Sequence, residues 1–259
     1  MATAAAAGPS VTSRALAVLG AFDEDHPRLA LSDLARRADL PLTTAHRLVG
    51  ELAAWGALER EADGSYGIGR RLWQLGTLAP VQRGLREAAL PTMQDLYEAT
   101  HENVQLAVLS EGQALYIERI HGPGSVPLVS RPGGRLPLHA TGVGKVLLAH
   151  LPDDEIDAAL AHLTPVTRYT ITERGRMARE ITAIRRQGYA TTAEEMTLGT
   201  CSIAVPVHDG AGTVIAALGL VVASARGRLT RHAPTLQVAS AALTRAFHSP
   251  EKGAGPRRR

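Results

Sequence analysis

The chain has almost no lysine and almost no cysteine. Of its 28 basic residues only Lys145 and Lys252 are lysines, so arginine carries nearly all the positive charge and Lys145, inside an apolar run, stands out. The single cysteine, Cys201, excludes an internal disulfide and suits a reducing compartment. Long apolar runs are also missing. The longest, residues 214–225, falls well short of the roughly 20 residues a spanning helix requires. The opening MATAAAAGPS lacks the basic flank and apolar core of a signal peptide. The expectation is a cytoplasmic protein with no membrane partner.

What remains is enough for two modest domains. The chain has 259 residues, 45% hydrophobic and 20% charged, a composition that packs a core. The net charge of +3 is weak evidence for nucleic acid, and its distribution weakens it further. Residues 14–63 hold six arginines (14, 28, 36, 37, 47 and 60) against nine acids (23, 24, 25, 33, 39, 51, 59, 61 and 63), a local balance of −3.

Residues 1–9 and the basic tail 250–259 read as disordered ends. Between them, Val11, Ala15, Val18, Leu19 and Phe22 share one helical face. Residues 23–28 read as a polar break. Leu31, Leu34 and Ala35 mark a second short helix. A third starts with Pro41 in its first turn, turns Ala45, Leu48, Val49 and Leu52 inward, and stops at Gly56. Two short strands, 57–60 and 65–68, flank Asp63-Gly64, a hairpin signal. Residues 69–79 read as another helix ended by Pro80. The second half mixes types: a helix over 85–101, hairpins 103–109/114–121 and 201–208/213–223, and helices at 141–150, 153–163, 173–187 and 233–247. Hairpins predict an antiparallel sheet covered by helices, an α+β class.

Three helices and a hairpin have the order of a winged helix-turn-helix, with the helix-turn-helix at about 31–54. In such a unit the second helix of the motif enters the major groove, and its early exposed residues meet base edges. Here these are Thr43, Thr44, His46 and Arg47. Arginine forks onto guanine, while Thr and His reach bases or phosphates. Gly50 keeps the next turn thin. Ser32, Arg14 and Arg36 are candidate phosphate contacts, and the wing carries Arg60 and Tyr66. The competing reading is an ordinary solvated helix face, and the local −3 charge favours it, because DNA affinity is largely phosphate neutralisation.

The run SRALAVLGAF…LALSDLARRADLPLTTAHRLVGELAAWGALEREADGSYGIGRRLWQLG resembles the DNA-binding domain of the IclR family of bacterial transcriptional regulators. The likeness continues through GGRLPLHATGVGKVLLAHL and GYATTAEEMTLGTCSIAVPVHDGAGTVIAALGL, covering roughly residues 11–248. The resemblance implies a winged helix-turn-helix at 10–69, a dimer-forming linker helix at 70–84, and a GAF-like effector-binding domain at 85–249. It implies homodimers or dimers of dimers on double-stranded operator DNA, acting as repressor or activator, with a small-molecule effector and no cofactor.

The stretch LPLHATGVGKVLLAHL tempts a phosphate-loop reading, but the spacing G-x-x-x-x-G-K-[S/T] fails twice. His139 stands where the first glycine belongs and Val146 where Ser or Thr belongs. A Rossmann fingerprint fails too, with Leu147 in place of the third glycine. Cys201 with His139 and Glu194 or Glu195 could compose a nucleophilic set, but a cysteine in CSIAVPV is usually a small packed residue, and the enzyme reading has no further motif. A metal site from His139, His208 and Cys201 lacks ligand spacing. A third reading is a mostly apolar ligand pocket at the entrance to the helix beginning near Thr141. The family resemblance places this loop and the Cys201 strand around the effector, so His139, Ala140, Thr141 and Gly142 are expected on one wall. Cys201, Ser202 and Ala204 make another, with Leu218, Gly219 and Leu220 closing it. Lys145 is expected in a structural ion pair with Glu194 or Glu195 rather than on the ligand.

Overall fold

The computed structural model describes residues 9–23, 25–76, 80–226 and 229–248. All but Pro9 of the two expected disordered ends lies outside these residues. Backbone contacts divide the chain between Pro80 and Val81 into two units.

The first unit runs α1 Val11–Leu19, β1 Arg28–Leu29, α2 Leu31–Arg37, α3 Leu42–Trp55, β2 Leu58–Arg60, β3 Tyr66–Ile68 and α4 Arg70–Gly76. Ser10 caps α1, its Oγ accepting the Ser13 N–H at 3.0 Å. Pro41 precedes α3 rather than sitting in its first turn. Its extended ψ of 140° turns the chain into the helix. Gly56 closes α3 in the left-handed conformation, φ 86°, which a side chain would resist. Val18, Leu34, Leu48, Val49 and Leu58 meet in one core. The expected polar break at 23–28 needs correction at its end. Arg28 pairs with Gly67 and Leu29 with Tyr66, giving a three-stranded sheet in the order β1-β3-β2. Burial of Leu29 in the helical core explains the strand.

The second unit comprises α5 Pro80–Thr100, β4 Asn103–Ser110, β5 Gln113–Ile120, β6 Arg135–Pro137, α6 Gly142–Ala149, α7 Asp153–Leu160, α8 Arg174–Gln187, β7 Ala190–Ala193, β8 Thr200–His208, β9 Val214–Ala223 and α9 Ala233–His248. Six strands form one antiparallel sheet in the order β6-β5-β4-β9-β8-β7. The β4–β5 hairpin turns on Glu111 and Gly112, both with positive φ, as a two-residue turn of matching twist requires. Strands β6 and β7 were not among the expected elements.

Period-two alternation gives this sheet two unlike faces. One presents large side chains, among them Leu106, Ile203, Val205 and Leu218, to Met93 of α5 and to Leu236 and Leu243 of α9. The other presents Ala107, Ala204 and Ala217 to α6 and α8, with Gly219 in the same register row as Ala204. Small residues on this face let α6 approach so closely that all eight of its residues are buried. A Cβ on Gly144 would strike the Leu138 carbonyl and the Thr141 hydroxyl. The same lack of side-chain bulk leaves space beside the α6 N-terminus.

Candidate functional site

On α3, Ala45, Leu48 and Val49 are buried, while Thr43, His46, Arg47, Gly50 and Glu51 are exposed and Thr44 is half-buried. A Cβ at Gly50 would touch nothing, so this face is open. Arg47 is paired one turn along its own helix, Nη1 to Glu51 Oε1 at 2.5 Å. Arg36 is likewise held by Asp33 at 2.7 Å. Ser32 is exposed on α2 and Arg14 is half-buried on α1. Arg60 lies over Tyr66, 5.9 Å from its ring centroid. At the hairpin tip, the Ser65 hydroxyl and amide hold the Asp63 carboxyl below its ordinary range. Sequence reasoning passed over the exposed Arg28, 3.6 Å from Glu61, because its short strand carried no periodic signal.

In the second unit a narrow cavity, partly open to solvent, lies between the small-residue face of the sheet and the start of α6. Thr141, Gly142 and Val143 form its α6 wall; Ser202, Ala204 and Gly219 come from β8 and β9. Met196 and Thr197 line it from the loop after β7, and Leu128, Val129 and Ser130 from the segment before β6. Thr141 is the α6 cap, its Oγ1 accepting the Gly144 N–H at 3.1 Å. Gly142 donates its N–H to Ser202 Oγ at 3.2 Å, and a Cβ there would sit 2.6 Å from that oxygen. Tyr116 also lines the cavity; burial pushes its phenol well up from the ordinary range, opposed by its side-chain hydrogen bond with Thr141.

Of the expected effector residues, Thr141, Gly142, Ser202, Ala204 and Gly219 border this cavity. Leu220 borders it as well, though its side chain packs in the α5–α9 core. His139, Ala140, Cys201 and Leu218 do not line it. His139 Nε2 bonds the Thr164 carbonyl at 2.8 Å. Ala140 is fully buried, Cys201 Sγ reaches Ser224 Oγ at 3.5 Å, and Leu218 belongs to the opposite core. Gln105, Ser130 and Thr192 line the cavity and were missed. Gln105 alternates with the apolar Val104 and Leu106, a signal that it faces away from their core, but its proximity to α6 depends on strand pairing.

The ion pair expected of Lys145 is with Glu195, Nζ to Oε1 at 2.7 Å and almost fully buried. Lys145 also reaches the Thr191 carbonyl at 3.4 Å. The imagined Cys-His-acid set is dispersed: His139, Cys201 and Glu195 have separate partners. Among the described residues no three His, Cys, Asp or Glu side chains are placed to hold a metal ion, and no helix is long and apolar enough to cross a membrane.

A helix-turn-helix with a hairpin, followed by a separate unit enclosing a small-molecule cavity, is the build of a ligand-responsive DNA-binding regulator. The family model "IclR helix-turn-helix domain" matches residues 11–62, and "Bacterial transcriptional regulator IclR C-terminal" matches residues 79–246. The chain belongs to the IclR family of bacterial transcriptional regulators; it is a DNA-binding regulator with a C-terminal effector-binding domain, not an enzyme. It is 33% identical over 243 residues to the HTH-type transcriptional regulator XynR of Escherichia coli K12, covering 92% of this chain and 96% of that one. It is 32% identical over 206 residues to KipR of Bacillus subtilis, covering 79% and 82%. An IclR homologue from Microbacterium hydrocarbonoxydans, solved in complex with 4-hydroxybenzoate, superimposes with a TM-score of 0.88 at 33% identity, covering 92% of this chain and 99% of that one.

Proposed function

We propose that this regulator works in the cytoplasm as a homodimer or dimer of dimers on double-stranded operator DNA, with Thr43, Thr44, His46 and Arg47 reading base edges. Arg14, Ser32, Arg36, Arg60 and Tyr66 seat the unit on the backbone. The observation that carries this reading is the division of α3 into a buried stripe and an open polar face. Residues 10–69 act as the DNA-binding domain, 70–84 as the linker, and 85–249 as the effector domain. The linker falls on α4 and the start of α5, and residues 77–79 between them lie outside the described residues.

Effector occupancy of the α6 cavity changes the grip on DNA by favouring one arrangement of the dimer. The ligand of the Microbacterium relative, 4-hydroxybenzoate, supports a small single-ring compound as occupant. Footprinting on the intergenic DNA beside the gene, with and without candidate ring compounds, tests the reading. The expected result is a protected site with two-fold symmetry that changes on ligand addition. Protection without sequence preference would sink it.

A further inference from the structure

Residues 121–134 cross from β5 to β6 without helix or strand. Irregular connections of that length inside a compact domain are uncommon and usually functional. Backbone hydrogen bonds fix the two ends: the Ser125 N–H donates to the Gly122 carbonyl at 3.0 Å, and the Gly133 N–H to the Tyr116 carbonyl at 2.7 Å. Between them, 126–130 makes no backbone-to-backbone hydrogen bond among the described residues. Side chains of the sheet hold it instead. Asn103 Nδ2 donates to the Val126 carbonyl at 3.0 Å, the Gln105 amide to Ser130 Oγ, and the Arg119 guanidinium to the Ser130 carbonyl at 2.6 Å. Asn103 and Gln105 alternate along β4 with Val104 and Leu106, which face the other core. Gln105 is directly paired with Arg119 of β5.

This segment is a single layer of chain between the cavity and water. Leu128, Val129 and Ser130 line the cavity, yet Val129 is 55% exposed. The other walls are held more firmly. Val143 packs on Gly219, where an added Cβ would lie 3.0 Å from Val143 Cγ1, so the floor has no spare depth. Helix α6 is buried along its whole length, and β4, β9 and β8 are joined by ladders. The loop after β7 is pinned at close intervals. Thr167 Oγ1 donates to the Glu194 carbonyl and Thr170 Oγ1 to the Glu195 carbonyl, each at 2.7 Å. Lys145 holds the Glu195 carboxylate, and Thr200 Oγ1 donates to the Thr197 carbonyl at 2.8 Å. A cavity this narrow admits a ring only if a wall moves, and 126–130 is the wall that the fold holds by side chains alone.

We propose that 126–130 is the gate of the cavity, latched shut by Asn103, Gln105 and Arg119, and that ligand enters and leaves when the latch releases. Gly124 on one side and Gly133, at a φ of 82°, on the other give the backbone its freedom to swing. Gln105 also lines the cavity, whereas Asn103 and Arg119 do not. The latter two therefore act as positioning residues, through the segment they hold. The inference rests on the reading of this cavity as the effector site.

The test reads opening without a ligand. Thr192 lines the cavity and is buried, and Cys201 is the only cysteine. Thr192→Cys in a full chain carrying Cys201→Ser therefore offers one thiol, inside the cavity, to uncharged ethyl methanethiosulfonate. In that parent chain, Asn103→Ala and Arg119→Ala should each speed modification at least tenfold, while hydrogen exchange across the β8–β9 ladder keeps the parent's rate. Should neither variant fold, Ser130→Ala, which removes the Gln105 bond from the segment's own side, carries the test. Unchanged modification in the folded variants overturns the gate. So does a parent thiol that reacts as fast as in the unfolded chain, or faster modification matched by an equal loss of β8–β9 protection. The effector reading is decided separately: 4-hydroxybenzoate should slow modification of the parent. If it binds the parent without protecting the thiol, the cavity is not its site, and the gate still stands or falls on the modification rates.

Discussion

Lys145 shows how one residue can look functional and hold structure. It follows a glycine at a helix entrance, yet its ammonium is directed away from the cavity to Glu195. The second carboxylate oxygen of Glu195 is buried with no hydrogen-bond partner among the described residues, so the pair is tightly enclosed. Removing one member of such a pair strands the other, at a cost of about 3–5 kcal/mol, while an apolar replacement of both is often neutral. Lys145→Met is therefore expected to lower the stability of the second unit strongly, and Lys145→Met with Glu195→Leu to recover most of it. Urea denaturation of the single and double variants measures this. An unchanged melting temperature in Lys145→Met together with a lost ligand response would instead make Lys145 a ligand contact. His208 and His232 add a pH dependence. Burial is the largest cause lowering both rings from their ordinary value of 6.5, with neighbouring His150 and Arg231 acting in the same direction. The fold thus binds fewer protons than the unfolded chain. Stability is full above that ordinary value and declines as pH falls through it towards the lowered folded values. Denaturation midpoints at pH 7.5 and 5.5 should show this loss, and His208→Asn should reduce it.

At the scale of elements, the proposed reading makes α3 the helix that recognises DNA. On the proposed reading Arg47 exchanges Glu51 for a base edge, so the helix would keep its arginine neutralised until DNA competes for it. Arg47→Ala is expected to cost about 1–3 kcal/mol of operator affinity and to leave ligand binding intact. Anisotropy titrations with operator and scrambled duplexes check this, and full discrimination in the variant would remove Arg47 from the reading set. This helix was legible in the sequence because its apolar spacing, Pro41 and Gly56 all agree. The hairpins were legible from Asp63-Gly64 and Glu111-Gly112. Strands β1, β6 and β7, of two to four residues, were not, because they are too short to show alternation and form by pairing with distant partners. The cavity was half legible for the same reason. Thr141 and Gly142 announce a capped helix entrance, whereas Gln105 and Thr192 reach it through strand order. Leu218, Gly219 and Leu220 could not all face one wall, since adjacent strand residues point to opposite faces. Only Gly219 of the three lies wholly on the cavity side.

For the whole molecule, the division at Pro80 sets what a ligand can do directly. The cavity is built entirely from residues of the second unit, and the side chains proposed to read DNA lie entirely in the first. A ligand that binds only the folded second unit stabilises it by RT ln(1 + [L]/Kd), about 2.7 kcal/mol at a hundredfold excess over Kd. Calorimetric unfolding should therefore show a ligand-shifted transition for the second unit, with a smaller shift for the first. Any effect on DNA is a coupling free energy, and coupling is reciprocal: operator DNA must change ligand affinity by the same factor by which ligand changes operator affinity. Titrating ligand into free and operator-bound protein measures one side of this balance, and titrating operator with and without ligand measures the other. Equal factors, falling together towards one in Arg47→Ala on scrambled DNA, would establish that cavity and reading helix act on one equilibrium. A ligand effect on operator binding with no matching effect of operator on ligand binding would show that the ligand acts outside the folded, DNA-competent state.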